Sequence, residues 1–170
     1  MTIATIATYA VGGLVALSAA TLLLPRHVSV ERTASLDAAP EAILELAASN
    51  TGYQAFNPYK DADPNLQINM FGPQTGVGSG FHFDGKDGKG SQTVASVTGE
   101  LVVYNIDLGA LGQPQQSIHV SPSADGSTVT WRIDSDQGFN PIFRVFGLFM
   151  DGMMGPIFER GLEKLGKATA

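Results

Sequence analysis

Hydrophobic and polar positions along the chain fall into three successive patterns. The first 24 residues are almost wholly apolar: 17 are hydrophobic, and four Thr, two Gly and one Ser make up the rest before Pro25-Arg26-His27 stops the run. As one helix this segment reaches about 36 Å against a hydrocarbon core of roughly 30 Å, which predicts a transmembrane anchor over residues 1–25 and a domain over 26–170. Two other readings compete with the anchor. Ser18-Ala19-Ala20 offers a signal-peptide cleavage site, and the segment would also serve as a buried core helix. The anchor is preferred because no Lys or Arg precedes the run and Thr21-Leu22-Leu23-Leu24 continues it past the cleavage site.

From His27 the period becomes two. Val28, Val30 and Arg32 alternate with Ser29, Glu31 and Thr33, predicting a first strand over 27–36. Asp37-Ala38-Ala39-Pro40-Glu41 reads as a helix start, with Asp37 or a neighbour as cap, and Asn50-Thr51-Gly52 as its end. After an irregular stretch rich in Pro, Asn and Asp come six strand-like runs, at 66–71, 77–84, 90–98, 101–108, 115–121 and 128–134, separated by turn pairs such as Asp84-Gly85 and Asp125-Gly126. This succession predicts an antiparallel meander. Val129, Trp131 and Ile133 share one face of the last run, so one side of the sheet is dry.

From Asn140 the period changes to 3.6, with Phe143, Phe146, Met150, Met154, Ile157, Phe158, Leu162 and Leu165 in phase. The expectation is one long helix bent at Pro156. The predicted class is α+β: a curved seven-stranded antiparallel sheet gripping a long C-terminal helix, preceded by the N-terminal transmembrane helix.

Charge refines this picture. Ten basic against sixteen acidic side chains give a net charge of −6, and every charge lies at or beyond Arg26. An acidic chain without a basic run argues against nucleic acid as a partner. The absence of cysteine removes disulfides and thiolate chemistry, and three isolated histidines predict no metal site. No cofactor is implied. Arg26 and Arg32 follow the apolar span, so the positive-inside bias predicts a single-pass membrane protein with a cytoplasmic domain. Thr8, Gly12, Ala16 and Ala20 recur every four residues, a spacing that admits helix–helix self-association through Gly12, Ala16 and Ala20, but small residues are common in weakly hydrophobic spans and that plainer reading is preferred.

Several strings resemble the START-like helix-grip superfamily, also called SRPBCC, which includes polyketide cyclase/dehydrase and lipid-transfer proteins. Val30-Glu31-Arg32 with Asp37-Ala38-Ala39-Pro40-Glu41 is similar to its first strand and helix entry. Asp63-Pro64-Asn65, Gly72-Pro73 and Gly76-Val77-Gly78 resemble the early hairpin of its membrane-anchored bacterial members. The most specific string is Gly147-Leu148-Phe149-Met150-Asp151 with Gly155-Pro156, Phe158-Glu159 and Gly161-Leu162. Where the family carries a tryptophan-rich segment, this chain has Tyr53, Phe56, Asn57, Pro58 and Tyr59.

The resemblance implies a cavity for a hydrophobic small molecule, lipid or polyketide-like. Phe143, Phe146, Met150 and Met154 read equally as its wall or as plain core, and Trp131, Tyr104, Tyr53 and Phe56 are further candidates for ligand contact. His82 and Tyr104 are the weak candidates for acid–base chemistry. His82 reads first as an ordinary sheet-surface histidine, Tyr104 as a satisfied core tyrosine, and Arg144 as a surface charge. A membrane-anchored binder or carrier is therefore expected, ahead of a cyclase/dehydrase-like enzyme or a packed partner-binding domain.

Overall fold

The computed structural model describes residues 3–169; Met1, Thr2 and Ala170, the ends of the two expected segments, lie outside the described residues. The element order is α1 (Ile3–Thr21), β1 (His27–Leu36), α2 (Pro40–Ala47), α3 (Asn50–Phe56), α4 (Tyr59–Ala62), β2 (Gln67–Phe71), β3 (Gly80–Gly85), β4 (Gly88–Val97), β5 (Leu101–Asp107), a 3-10 turn (Gly109–Leu111), β6 (Gln115–Ser123), β7 (Gly126–Asp136), α5 (Pro141–Gly147) and α6 (Met150–Thr169).

The seven strands form one antiparallel sheet in the order β1-β7-β6-β5-β4-β3-β2. Strands β2 to β7 are the predicted meander, and β1 closes the far edge by pairing with β7 over its whole length, His27 with Asp136 through Leu36 with Ser127. The register of β4 against β5 shifts between Val94 and Ser96, a bulge of the kind that increases local twist and bends the strand. Period-two alternation decides the dry face. Val102, Tyr104 and Ile106 of β5, Ile118 and Val120 of β6, and Val129, Trp131 and Ile133 of β7 are all buried.

The helix α6 lies across this face with Phe158, Leu162 and Leu165 buried against it. At its outer edge Arg32 of β1 donates to Asp151 and Glu159 at 2.8 Å each, and its guanidinium lies over Gly155, where a Cβ would collide with it. Both carboxylates raise the guanidinium pKa above its ordinary value, Asp151 more than Glu159. The pairs are solvent-exposed, so they set the angle of the helix more than the stability of the fold.

Four expectations are corrected. Among the described residues no helix is long and apolar enough to cross a membrane. The helical part of the expected anchor stops at Thr21, and its 19 residues reach only about 28 Å, with Thr, Ser, Gly and Ala diluting the apolar side chains. Asn50-Thr51-Gly52 does not end a helix but opens α3, capped by the Ser49 hydroxyl, which accepts from the Gly52 amide at 3.1 Å. Asp37 caps nothing: α2 begins at Pro40 after Ala39, without a side-chain cap. Finally, the C-terminal helix is two helices. The break falls after Gly147 and not at Pro156, which sits inside continuous α6. Gly147 packs so closely on β1 that a Cβ there would meet Val28 at 2.9 Å, and the chain turns at that point to begin α6 on a new phase.

Candidate functional site

The centre of the grip is built from Trp131 of β7 and Phe158 of α6. Their rings stack with centroids 5.2 Å apart and planes 11° from parallel. Gly161, one turn further along α6, makes this possible: a Cβ there would sit 2.3 Å from the indole. The helix therefore approaches the sheet through a glycine, and the indole fills the gap.

Helix α3 supplies the other wall. Tyr53 and Phe56, three residues apart and so on one helical face, both point into the grip and are fully buried. Tyr53 packs edge-on against Trp131 at 6.0 Å and Tyr104 at 5.6 Å, and Phe56 packs edge-on against Trp131 at 5.6 Å. The short helix is held at both ends. Asn50 donates to the carbonyls of Phe71 and Pro73 at 3.3 Å, while Lys164 of α6 reaches the Asn57 carbonyl at 3.0 Å and Asp61 at 2.8 Å.

Polar groups in this centre are few. The Tyr104 hydroxyl donates to the Ala47 carbonyl at 2.7 Å, and Gln116 Nε2 donates to the Tyr53 hydroxyl at 3.2 Å. Burial pushes the Tyr53 hydroxyl up to about 12, partly offset by hydrogen bonding to Gln116 and Gln92, and raises Tyr104 well above its ordinary value. Two atoms stand out: Gln116 Oε1 and Trp131 Nε1 are buried with no hydrogen-bond partner among the described residues. One is an acceptor and the other a donor, and an unpaired buried polar atom costs about 1–3 kcal/mol.

The space left between these groups is small. A half-open pocket between α3 and strands β3 to β5 measures about 10 Å³ and is lined by Tyr53, Phe81, Gln92, Tyr104 and neighbours, roughly room for one water. A larger opening of about 320 Å³ lies outside, between β1 and α6, edged by Leu36, Leu162, Glu159 and Glu163; it is an open surface groove and does not reach the aromatic centre.

Of the residues expected to contact a ligand, Tyr53, Phe56, Tyr104 and Trp131 converge here. Met150 is buried and Met154 half-buried in the core at the start of α6. Phe143 and Phe146 do not join them, because they belong to α5, whose buried positions are Arg144 and Gly147; Phe146 is exposed. Arg144 is correspondingly no surface charge. It is buried and donates to the carbonyl of Gly138 at 2.7 Å, that of Leu22 at 3.4 Å and that of Leu24.

His82 stands on the exposed outer face of β3 beside the Phe71 ring, at 4.6 Å, so it does not reach the grip. Tyr104 reaches it but spends its proton on a backbone carbonyl. Among the described residues no three His, Asp or Glu side chains converge on one point that would hold a metal. The residues that sequence reasoning missed are Gln92 and Gln116, while Phe158, read on the apolar face of the C-terminal helix, was not assigned to the site. The signal for Gln116 was present, since it alternates in phase with buried Ile118 and Val120.

The model for polyketide cyclase/dehydrase and lipid transport matches residues 27–169. The chain belongs to this family. Among curated proteins none matches it by sequence. Solved structures with the family's fold resemble it at low identity. The di-domain ARO/CYC StfQ of the steffimycin biosynthetic pathway is 13% identical with a TM-score of 0.62, over 84% of this chain and 50% of that one, so the chain spans about half of StfQ. Truncated norcoclaurine synthase from Thalictrum flavum is 15% identical, TM-score 0.63, over 83% of this chain and 92% of that one. Protein CV1439 from Chromobacterium violaceum is 13% identical, TM-score 0.61, over 84% and 97%. At these identities the likeness shows the helix-grip fold alone.

Proposed function

We propose that the domain binds a hydrophobic small molecule, lipid or polyketide-like, in the grip between sheet and α6, and acts as its carrier. The observation that carries this reading is the pair of orphaned atoms in the aromatic centre. Gln116 Oε1 could accept from, and Trp131 Nε1 donate to, the few polar groups of an otherwise apolar ligand, the composition that small-molecule sites use. The family match supports it, as does one structure of similar fold, norcoclaurine synthase from Thalictrum flavum, which holds dopamine and hydroxybenzaldehyde.

The pocket beside Tyr53 has only about 10 Å³ of space, so a ligand enters by displacing the Tyr53 and Phe56 rings with α3. A binder is preferred to a cyclase-like enzyme because the centre, among the described residues, holds no Asp, Glu, His or Lys, and Tyr104 is committed to Ala47. Native mass spectrometry of the full chain tests the reading together with titration of an apolar fluorescent dye. A retained hydrophobic mass is expected, and Tyr53→Ala should bind dye more tightly than the parent. A clean protein mass with no dye binding in either form overturns it.

A further inference from the structure

The largest unexplained feature of the surface lies away from the grip. Phe139 and Ile142 are each 74% exposed, and Val145, Phe146, Leu148 and Phe149 are exposed as well, in a short stretch around α5. A stretch of this kind on a soluble surface marks an interaction site. Its charges are out of the way. Between Gln137 and Met150 only Arg144 is charged, and it is turned inward. At the margin Arg26 and Asp136 neutralise each other at 2.7 Å, with the Arg26 guanidinium 5.3 Å from the Phe139 ring.

Helix α1 identifies the occupant. Tyr9, Val11, Leu14, Val15 and Leu17 are all exposed, and at about 100° per residue they point to every side of the helix. A protein groove covers one stripe of a helix, whereas apolar side chains spread around the helix, even between Thr, Gly and Ser positions, are covered together by an apolar medium. The end of α1 and the exposed residues of α5 are fixed together, because buried Arg144 of α5 donates to the carbonyls of Leu22 and Leu24 just beyond α1. Whatever medium receives the end of α1 therefore meets α5.

We propose that α5 is a lipid-docking face: Phe139, Ile142, Phe146 and Phe149 enter the apolar layer of a bilayer beside α1, and Arg144 holds the two parts in one orientation. This needs no crossing of the membrane, since a monotopic insertion buries apolar side chains only to the depth of the upper acyl chains. It does not rest on the ligand reading. A net charge of −6 offers no attraction to anionic lipid, so docking is apolar in origin and holds on neutral lipid at high salt.

The absence of cysteine makes the test direct. Full-length chains carrying Ile142→Cys, Phe146→Cys, Leu14→Cys or Asp125→Cys, each labelled with an environment-sensitive fluorophore, are reconstituted with phosphatidylcholine vesicles containing acyl-chain quenchers. The expected result is a blue-shifted emission and quenching at 142, 146 and 14, with neither at 125, unchanged by salt. Quenching at 14 alone leaves α1 in lipid and overturns the docking face. Shielded emission at 142 and 146 without quenching means that a protein surface, such as a second copy, covers α5, and overturns it equally. Should either α5 variant fail to fold by circular dichroism, Phe139→Cys takes its place with the same two outcomes.

Discussion

Trp131 and Phe146 are both large aromatic residues in runs whose apolar period is unmistakable, yet the indole is wholly buried and the phenyl ring is 47% exposed. The difference lies in what faces each run. Trp131 stands on the dry side of a sheet that α6 covers at close range through Gly161, and Tyr53 and Phe56 fill the remaining space. Phe146 stands on a seven-residue helix that buries only its Arg144 and Gly147 side, and the end of α1, itself exposed, is its neighbour. Apolar period reveals that a face seeks cover. It does not reveal whether the same chain provides it.

The comparison is broken most directly at its buried end. Trp131→Ala or Phe158→Ala should destabilise the domain by about 3–5 kcal/mol, because each leaves a cavity in the stacked centre. Urea unfolding followed by circular dichroism measures it. A loss no greater than that at Phe146 would mean that the grip is loosely filled. Gly161→Ala sharpens the point from the opposite direction. Its new Cβ presses on the indole from 2.3 Å, and overpacking of this kind costs about 1–3 kcal/mol in the same experiment.

Tyr104→Phe removes one hydroxyl and leaves the Ala47 carbonyl without its 2.7 Å donor, for an expected loss of about 1 kcal/mol by thermal or urea unfolding. The staple between α4 and α6 is expected to show in the pH dependence. Lys164 first and Arg160 second hold the Asp61 carboxyl below its ordinary range. A carboxylate with a lowered folded-state pKa contributes stability that is present above its unfolded pKa, near 4, and is lost as pH falls through the folded value. Asp61→Asn should therefore lower the melting temperature at neutral pH, by a small amount for so exposed a pair, and shrink its fall toward acid pH, where the two forms converge. The smallest effect belongs to the exposed end: Phe146→Ser should shift unfolding by no more than about 0.5 kcal/mol, since little packs on that ring.

The aromatic centre was partly legible beforehand. Trp131 and Tyr104 follow from alternation along β7 and β5, and Tyr53 and Phe56 from their place in the family's pattern. Phe143 and Phe146 were assigned to the same wall because they keep phase with Met150 and Met154, and one turn of chain at Leu148 and Phe149 undoes that phase. Arg144 was misplaced by the same step: once α5 is a separate helix, the position that faced solvent faces the carbonyls of Gly138, Leu22 and Leu24.

What the order of residues determined by itself was the local part: six runs of period two after β1, a terminal stretch of period 3.6, turns at Asp-Gly pairs, an uncharged apolar start and the absence of thiol chemistry. These follow from short-range geometry, where side-chain direction repeats with the backbone. Tertiary structure alone decided that α3 exists and plugs the grip, that the pocket beside Tyr53 measures only about 10 Å³, and that Gln116 Oε1 and Trp131 Nε1 are buried without a partner among the described residues. It also decided that the apolar faces of α1 and α5 come together uncovered. Each of these depends on which elements meet across the sheet, and packing at that distance is set by shape and close contact, as at Gly161 and Gly147, which no local period records.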